Sequence, residues 1–170
     1  MIIGYTTGVF DLFHIGHLNI LRNAKGLCDR LIVGVTTDEL LMEYKKKKAV
    51  IPFFERCEIL RNIGYVDAVV SQTSMDKIEA WQRLRFDIMF VGDDWYNTEN
   101  WKKYEKRFTE VGVRIVYFPY TQGVSSTLIN KILVEKRDEL EQKERCIREI
   151  LLRKKDELSL SEEEIEDLFM

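Results

Sequence analysis

The chain of 170 residues holds two histidines, and both stand in one tetrapeptide, His14-Ile15-Gly16-His17. Thr6-Thr7-Gly8-Val9-Phe10-Asp11 leads into it and an apolar-periodic run over 18–27 follows. Imidazoles three apart at the start of a helix share one face and can meet one ligand. A helix start also carries unpaired N–H groups and partial positive charge, which favour phosphate. Taken alone, a His-x-x-His pair is equally a pair of surface or capping histidines. The order of buried strand, Gly8, loop, histidine pair and helix selects a nucleotide-phosphate site instead.

The elements that must hold this site alternate. Short β-branched runs over 2–7, 30–36, 68–71, 88–92 and 113–118 read as strands, several of them apolar throughout, as in strands buried on both faces. Helical patterns fall between them: 17–27, then 52–63 with Pro52 at the first helical position, then a third after an N-capping Ser74, then 98–111. This predicts an α/β fold, a Rossmann-like parallel sheet flanked by helices, with ligands beyond the carboxyl ends of the strands. Four polar segments follow strand ends: His14 to His17, Thr36-Thr37-Asp38, Gly92-Asp93-Asp94-Trp95, and the stretch from Tyr120 to Thr127.

After Leu133 the composition changes, which sets a domain over 1–133 and a charged helical C-terminal extension over 134–170. That extension has 8 basic and 13 acidic residues, so it carries −5 of a net charge of −3, leaving the body at +2. Leu133, Leu140 and Ile147, with Ile150, Leu151 and Leu158, form a narrow apolar stripe. The stripe predicts packing on the body or on a second subunit, with a short coiled coil as the sharper option. Ser161 and Glu164 read as a capping box for a last helix through Leu168. Apolar residues make up 45% of the chain, which excludes wholesale disorder, and no apolar run reaches the ~18 residues of a membrane span. With no basic leader at 1–5 and three scattered cysteines (Cys28, Cys57, Cys146), a cytoplasmic protein with reduced thiols is expected. No basic stripe with interleaved aromatics points to nucleic acid.

On Gly8-Val9-Phe10-Asp11 with His14-Ile15-Gly16-His17, Thr37-Asp38-Glu39, Gly92-Asp93-Asp94-Trp95 and Gly123-Val124-Ser125-Ser126-Thr127, the body resembles the cytidylyltransferases. Among these it is most similar to the bacterial glycerol-3-phosphate enzymes. The resemblance runs from about residue 2 to 133. It implies transfer of CMP from CTP to a small phosphorylated alcohol, glycerol 3-phosphate first, with release of pyrophosphate and a CDP-alcohol product for surface polymer synthesis. It implies that His14, His17, Lys45 and Lys47 are catalytic. The nucleotide would be held by Thr7, Gly8, Val9, Phe10, Asp11, Gly16, Arg56, Gly92, Asp94, Trp95, Thr121, Gly123, Ser125, Ser126 and Thr127. Asp11 and Asp94 are the candidate ligands of Mg²⁺ or another divalent cation, and a homodimer is expected. Lys45-Lys46-Lys47-Lys48 also reads simply as a solvated loop.

Two departures bear on the acceptor. Gly64 and Tyr120 stand where the glycerol-phosphate enzymes carry arginines, and Met75 stands near a tryptophan of their acceptor region. Lost guanidinium groups remove bidentate phosphate contacts. Either Arg61, Arg83 or Arg85 compensates, or the acceptor differs. Two further readings stay open: adenylyl transfer to a sugar phosphate or cofactor precursor, and a nucleotide-binding regulator without turnover.

Overall fold

The computed structural model describes residues 1–93, 96–119 and 121–155, with backbone alone at 100 and 153–155. The chain divides into two compact units, one covering Met1–Ser126 and a second beginning at Thr127. The first is a five-stranded, wholly parallel sheet ordered β3-β2-β1-β4-β5. The strands are β1 Ile3–Gly8, β2 Arg30–Thr36, β3 Ala68–Gln72, β4 Ile88–Gly92 and β5 Arg114–Phe118. The helices are α1 Ile15–Lys25, α2 Asp38–Lys45, α3 Phe53–Arg61, α4 Lys77–Leu84, α5 Glu99–Glu110 and α6 Ser126–Lys155. Succession runs outward from β1 through β2 to β3, then returns to β4 on its other side. This reversal opens a crevice at the carboxyl end of β1, where a doubly wound sheet places its ligand.

Strand alternation divides the core. Leu31, Val33 and Val35 of β2 and Ile88 and Phe90 of β4 pack with Leu21 and Ala24 of α1 and Cys57 and Leu60 of α3. Ile32, Met89 and Val91 point to the other face and pack with Ile78 of α4 and Trp101 and Phe108 of α5. Thus α1 and α3 cover one face and α4 and α5 the other, as two-residue periodicity dictates.

All five expected strands are present, with ends shifted by a residue at most. All four expected helix starts differ, that of α5 only in that Thr98 is its N-cap and Glu99 its first residue. Helix α1 begins at Ile15 rather than 17, because His14 itself is the N-cap. Pro52 is the N-cap of α3 and not its first helical residue. Helix α4 is capped by Asp76, whose Oδ1 accepts from Ile78 N at 2.9 Å, while Ser74 Oγ accepts from Asp76 N at 3.1 Å and shapes the turn before it. The sequence reading missed α2, since eight residues offer too little periodicity. Its signal was Thr37, which caps Leu40 N at 3.2 Å, followed by two acidic residues in the first turn. The lysine run is therefore not one loop: Lys45 ends α2, and Lys46 is its left-handed C-cap at φ 54°.

In the second unit α6 continues to Lys155, with Leu133, Leu140, Ile147 and Leu151 exposed. The expected capping box at Ser161 to Glu164 lies outside the described residues.

Gly34 of β2 marks the tightest place in the sheet. A Cβ there would lie 2.2 Å from Tyr5 Oη and 3.0 Å from Thr7 Oγ1. Tyr5 has no exposure and stacks on Phe86 at 4.9 Å, so a shift of its ring disturbs the core. Gly34→Ala is expected to cost about 1–3 kcal/mol of stability, the usual range for overpacking a core. Urea unfolding measures it, and a neutral result would show that Tyr5 can move.

Candidate active site

At the end of β1 the chain turns through Phe10 and Leu12, both at positive φ, and enters α1 through a reciprocal cap. His14 Nδ1 accepts from Gly16 N at 3.1 Å, and His17 Nδ1 accepts from His14 N at 3.4 Å. Each bond requires an unprotonated Nδ1, which leaves the Nε2–H of each neutral ring as a donor. The rings stack at 4.0 Å, and His17 sits against Phe10 at 5.3 Å and Phe13 at 5.5 Å. Burial lowers the His14 pKa. Burial, with the neighbouring His14, pushes that of His17 down to about 4. Both rings are therefore neutral donors at neutral pH. Gly16 is required between them, because a Cβ there would lie 2.8 Å from His14 Cε1.

These rings open on a cleft of about 660 Å³ at the carboxyl rim of the sheet. Of the residues expected from sequence, Thr7, Gly8, Val9, Phe10, His14, Gly16, His17, Lys45, Gly92, Thr121, Ser125 and Ser126 line it. Asp94, Trp95 and Tyr120 lie outside the described residues. Lys47, Gly123 and Thr127 are not among the lining residues, and Thr127 already belongs to the second unit. Gln72, missed from sequence, lies at the floor: its Oε1 accepts from the hydroxyls of both Thr7 and Thr36, joining the ends of three adjacent strands.

Arg56 and Asp11 are placed differently from the sequence expectation. The Arg56 side chain is fully buried, and it does not line the cleft. Its Nε donates to Ile51 O at 2.9 Å, Nη1 to Val9 O at 2.5 Å and Thr36 O at 2.9 Å, and Nη2 to Asp38 Oδ1 at 2.5 Å. Four of its five N–H groups are thus committed to the loops beneath the site, and none of these bonds reaches a phosphate. Asp11 Oδ1 accepts from Leu12 N at 3.1 Å and Ile51 N at 2.9 Å, and Oδ2 accepts from Val50 N at 2.8 Å. Its carbonyl accepts from Ser126 Oγ at 2.6 Å. This carboxylate pins loops together rather than facing the cleft. Among the described residues no group of three or more His, Cys, Asp or Glu could hold a metal ion. Of the two expected cation ligands, Asp11 is committed to these loops and Asp94 lies outside the described residues.

The arginines expected to replace the missing pair are engaged elsewhere too. Arg61 pairs with Glu58 at 2.5 Å, Arg83 donates to Ser71 O at 3.1 Å, and Arg85 lies over Trp81 at 4.6 Å. The cations that do line the cleft are Lys45, Lys77, Lys103 and Arg107, with no carboxylate among the described lining residues. A wall of this charge suits an anionic ligand.

The buried histidine also links stability to pH. Its folded-state pKa of about 4 lies below the ordinary 6.5, so between those values the unfolded chain binds more protons than the folded one. Stability is whole above about pH 6.5 and is lost as pH falls towards 4, by about 3 kcal/mol for this group. His17→Asn keeps an acceptor for His14 N and does not titrate. Urea unfolding at pH 7 and pH 4.5 should show a smaller acid loss in that variant than in the parent chain. An equal loss in both would mean that His17 is not the group responsible.

Three comparisons with known proteins give the family and the fold. The cytidylyltransferase-like family model matches residues 5–157. The glycerol-3-phosphate cytidylyltransferase of Bacillus spizizenii is 38% identical over 74% of this chain and 92% of its own. The FAD synthase of Thermococcus kodakarensis is 33% identical over 74% of this chain and 85% of its own. A lipopolysaccharide core biosynthesis protein from Thermoplasma volcanium, 24% identical, superposes with a TM-score of 0.60 over 71% of this chain and 97% of that one, which supports the fold. A parallel sheet reversing at β1, a capped histidine pair at the reversal and a family match across most of the sequence lead to one conclusion: the chain belongs to the cytidylyltransferase-like family and is a nucleotidyltransferase.

Proposed function

We propose that this enzyme transfers CMP from CTP to a small phosphorylated alcohol in the cytosol, with glycerol 3-phosphate as the leading acceptor. The observation that carries this reading is the stacked pair of neutral imidazoles held by backbone N–H groups in a cleft of cations. A phosphate oxygen of the acceptor attacks the α-phosphorus of the triphosphate. The bond from that phosphorus to the bridging oxygen breaks, and pyrophosphate leaves with the electron pair. No protein nucleophile is needed, because the acceptor oxygen already carries charge. Negative charge builds on the equatorial and leaving oxygens, and catalysis consists of positioning and stabilising it. The Nε2–H groups of His14 and His17 are the fixed donors for that charge, and Lys45 is a mobile cation at the same wall. We treat a divalent cation such as Mg²⁺ as part of the nucleotide substrate rather than as a resident of the protein. The CDP-alcohol product would serve as an activated precursor for a surface polymer.

The relatives named glycerol-3-phosphate cytidylyltransferase support the choice of CTP. Relatives named FAD synthase, at 33% identity, support a second reading: adenylyl transfer to a phosphorylated cofactor precursor. Pyrophosphate release across the four nucleoside triphosphates and a panel of phospho-alcohols separates the two. CTP with glycerol 3-phosphate should be the best pair; preference for ATP would transfer the assignment to the second reading.

His14→Ala and His17→Ala should each lower turnover by about a hundredfold or more, the usual cost of removing a preorganised donor. Near-normal turnover in either folded variant would remove the mechanism. The Lys45→Ala, Lys47→Ala double variant should raise the CTP requirement far more than it lowers the melting temperature.

We propose further that the chain is a homodimer. Leu133, Leu140, Ile147 and Leu151 are each more than a third exposed on one narrow stripe of α6, and a partner copy would cover them. Sedimentation at micromolar concentration should give a dimer, and a chain ending near Val134 should shift towards monomer. A full-length monomer would refute the assembly.

A further inference from the structure

The floor of the cleft has a fixed hydrogen-bond polarity, and Gln72 sets it. Gln72 ends β3, is only 5% exposed and stands level with Thr36 of β2 in the parallel register. Its Nε2 donates to Ser74 O at 3.1 Å. An amide nitrogen turned to a carbonyl puts the amide oxygen on the opposite side, where it meets the hydroxyls of Thr7 and Thr36. A carbonyl oxygen only accepts, so both threonines must donate to it, Thr36 at 2.9 Å. Both lone pairs of that oxygen are thereby used. Thr7 stands level with Gly34 of β2, where a Cβ would come within 3.0 Å of Thr7 Oγ1, so the glycine leaves its hydroxyl clear.

A threonine hydroxyl has one proton and two lone pairs. With the proton spent on Gln72, Thr7 Oγ1 is an acceptor and nothing else. Among the described residues none donates to it, and the Tyr5 hydroxyl on the same face is itself buried without a partner. Thr36 is buried, whereas Thr7 is half-buried and is the more open of the two where they line the cleft. Arg56 holds the backbone of the same two strand ends, at Val9 O and Thr36 O, so the acceptor cannot turn away with the chain. The rest of the cleft has the opposite polarity, because the imidazole Nε2–H groups and the cations all donate. Phosphate oxygens, which only accept, find partners there and meet a lone pair at the floor.

Resting on the transferase reading, we propose that Thr7 accepts a hydrogen bond from a substrate hydroxyl, and that Gln72 is the positioning residue that makes Thr7 an acceptor. The hydroxyl belongs to the ribose of the nucleotide or to the phosphorylated alcohol; in both cases the chemistry is one O–H given to one fixed lone pair. The floor thus orients a substrate as well as holding it, since a phosphate group cannot take the hydroxyl's place. A site built for a substrate hydroxyl rejects the analogue that lacks it, because its own buried acceptor is then left unpaired.

The test is calorimetric titration of the full-length chain. CTP is compared with 2′-deoxy-CTP and 3′-deoxy-CTP, and glycerol 3-phosphate with propyl phosphate in the presence of CMP, which cannot react. In the parent protein at least one compound that lacks a hydroxyl should bind about tenfold or more weakly than its hydroxylated counterpart, and the compound affected names the source of the hydroxyl. Thr7→Val keeps the shape of the side chain, removes the acceptor and should bring that ratio to within about twofold of unity. Thr7→Ser keeps the acceptor and should preserve the ratio. Gln72→Met keeps the length of the side chain, frees the Thr7 proton and should lower the ratio by about threefold or more. The two Thr7 variants decide the matter should Gln72→Met fail to fold. A merely structural role would weaken hydroxylated and deficient compounds alike, so an unchanged ratio in Thr7→Val would overturn the proposal. So would a parent protein that shows no such ratio, and an unchanged ratio in a folded Gln72→Met would overturn the part given to Gln72. A parent protein that shows the ratio but releases no pyrophosphate from CTP and glycerol 3-phosphate would refute the transferase reading and leave the floor standing.

Discussion

A guanidinium taken wholly out of water must find its hydrogen bonds inside the protein, and Arg56 finds four of them in three separate stretches of chain. It holds the Val9 carbonyl after β1, the Thr36 carbonyl at the end of β2, the Ile51 carbonyl before α3 and the Asp38 carboxylate at the start of α2. The cost of burying a cation is large, and bonds of good geometry on both its edges offset it. None of the four partners can drift without leaving part of that charge unpaired. The loop that delivers His14 is therefore fixed from below before any ligand arrives. Asp11 repeats the device with opposite sign, gathering three backbone N–H groups on its carboxylate and a serine hydroxyl on its carbonyl.

In the proposed mechanism the cleft above this foundation meets anions in two ways. The histidine pair acts as neutral donors, with Nδ1 turned to the backbone and Nε2–H left for the ligand. Burial suppresses protonation, so the donors stay in place without a full charge to desolvate. The lysines and Arg107 supply net charge instead. Fixed donors suit the place where charge develops during reaction, since they need no reorganisation. Charged side chains on flexible stems suit ligands that must enter and leave.

The fold was legible because its signals are local. Apolar runs marked all five strands, and alternation with helical patterns gave the parallel sheet. The misplacements were also local: Ser74 and Asp76 are both capable of capping, and hydrogen bonds decided that Asp76 caps α4 while Ser74 caps the turn before it. The short α2 lacked the length for periodicity to declare itself.

The sequence by itself determined the spacing of the histidines, the glycine between them and the strand and helix that frame them. Each of these is a relation among neighbours, and backbone geometry converts it directly into a shared face. Gly16 is an instance: the need for a missing Cβ follows from a ring two residues away. The roles of Arg56 and Asp11 were decided only by the tertiary structure. An arginine that could hold phosphate and one that holds loops have the same local pattern. What separates them is the set of carbonyls brought within reach, and those lie up to 47 residues away.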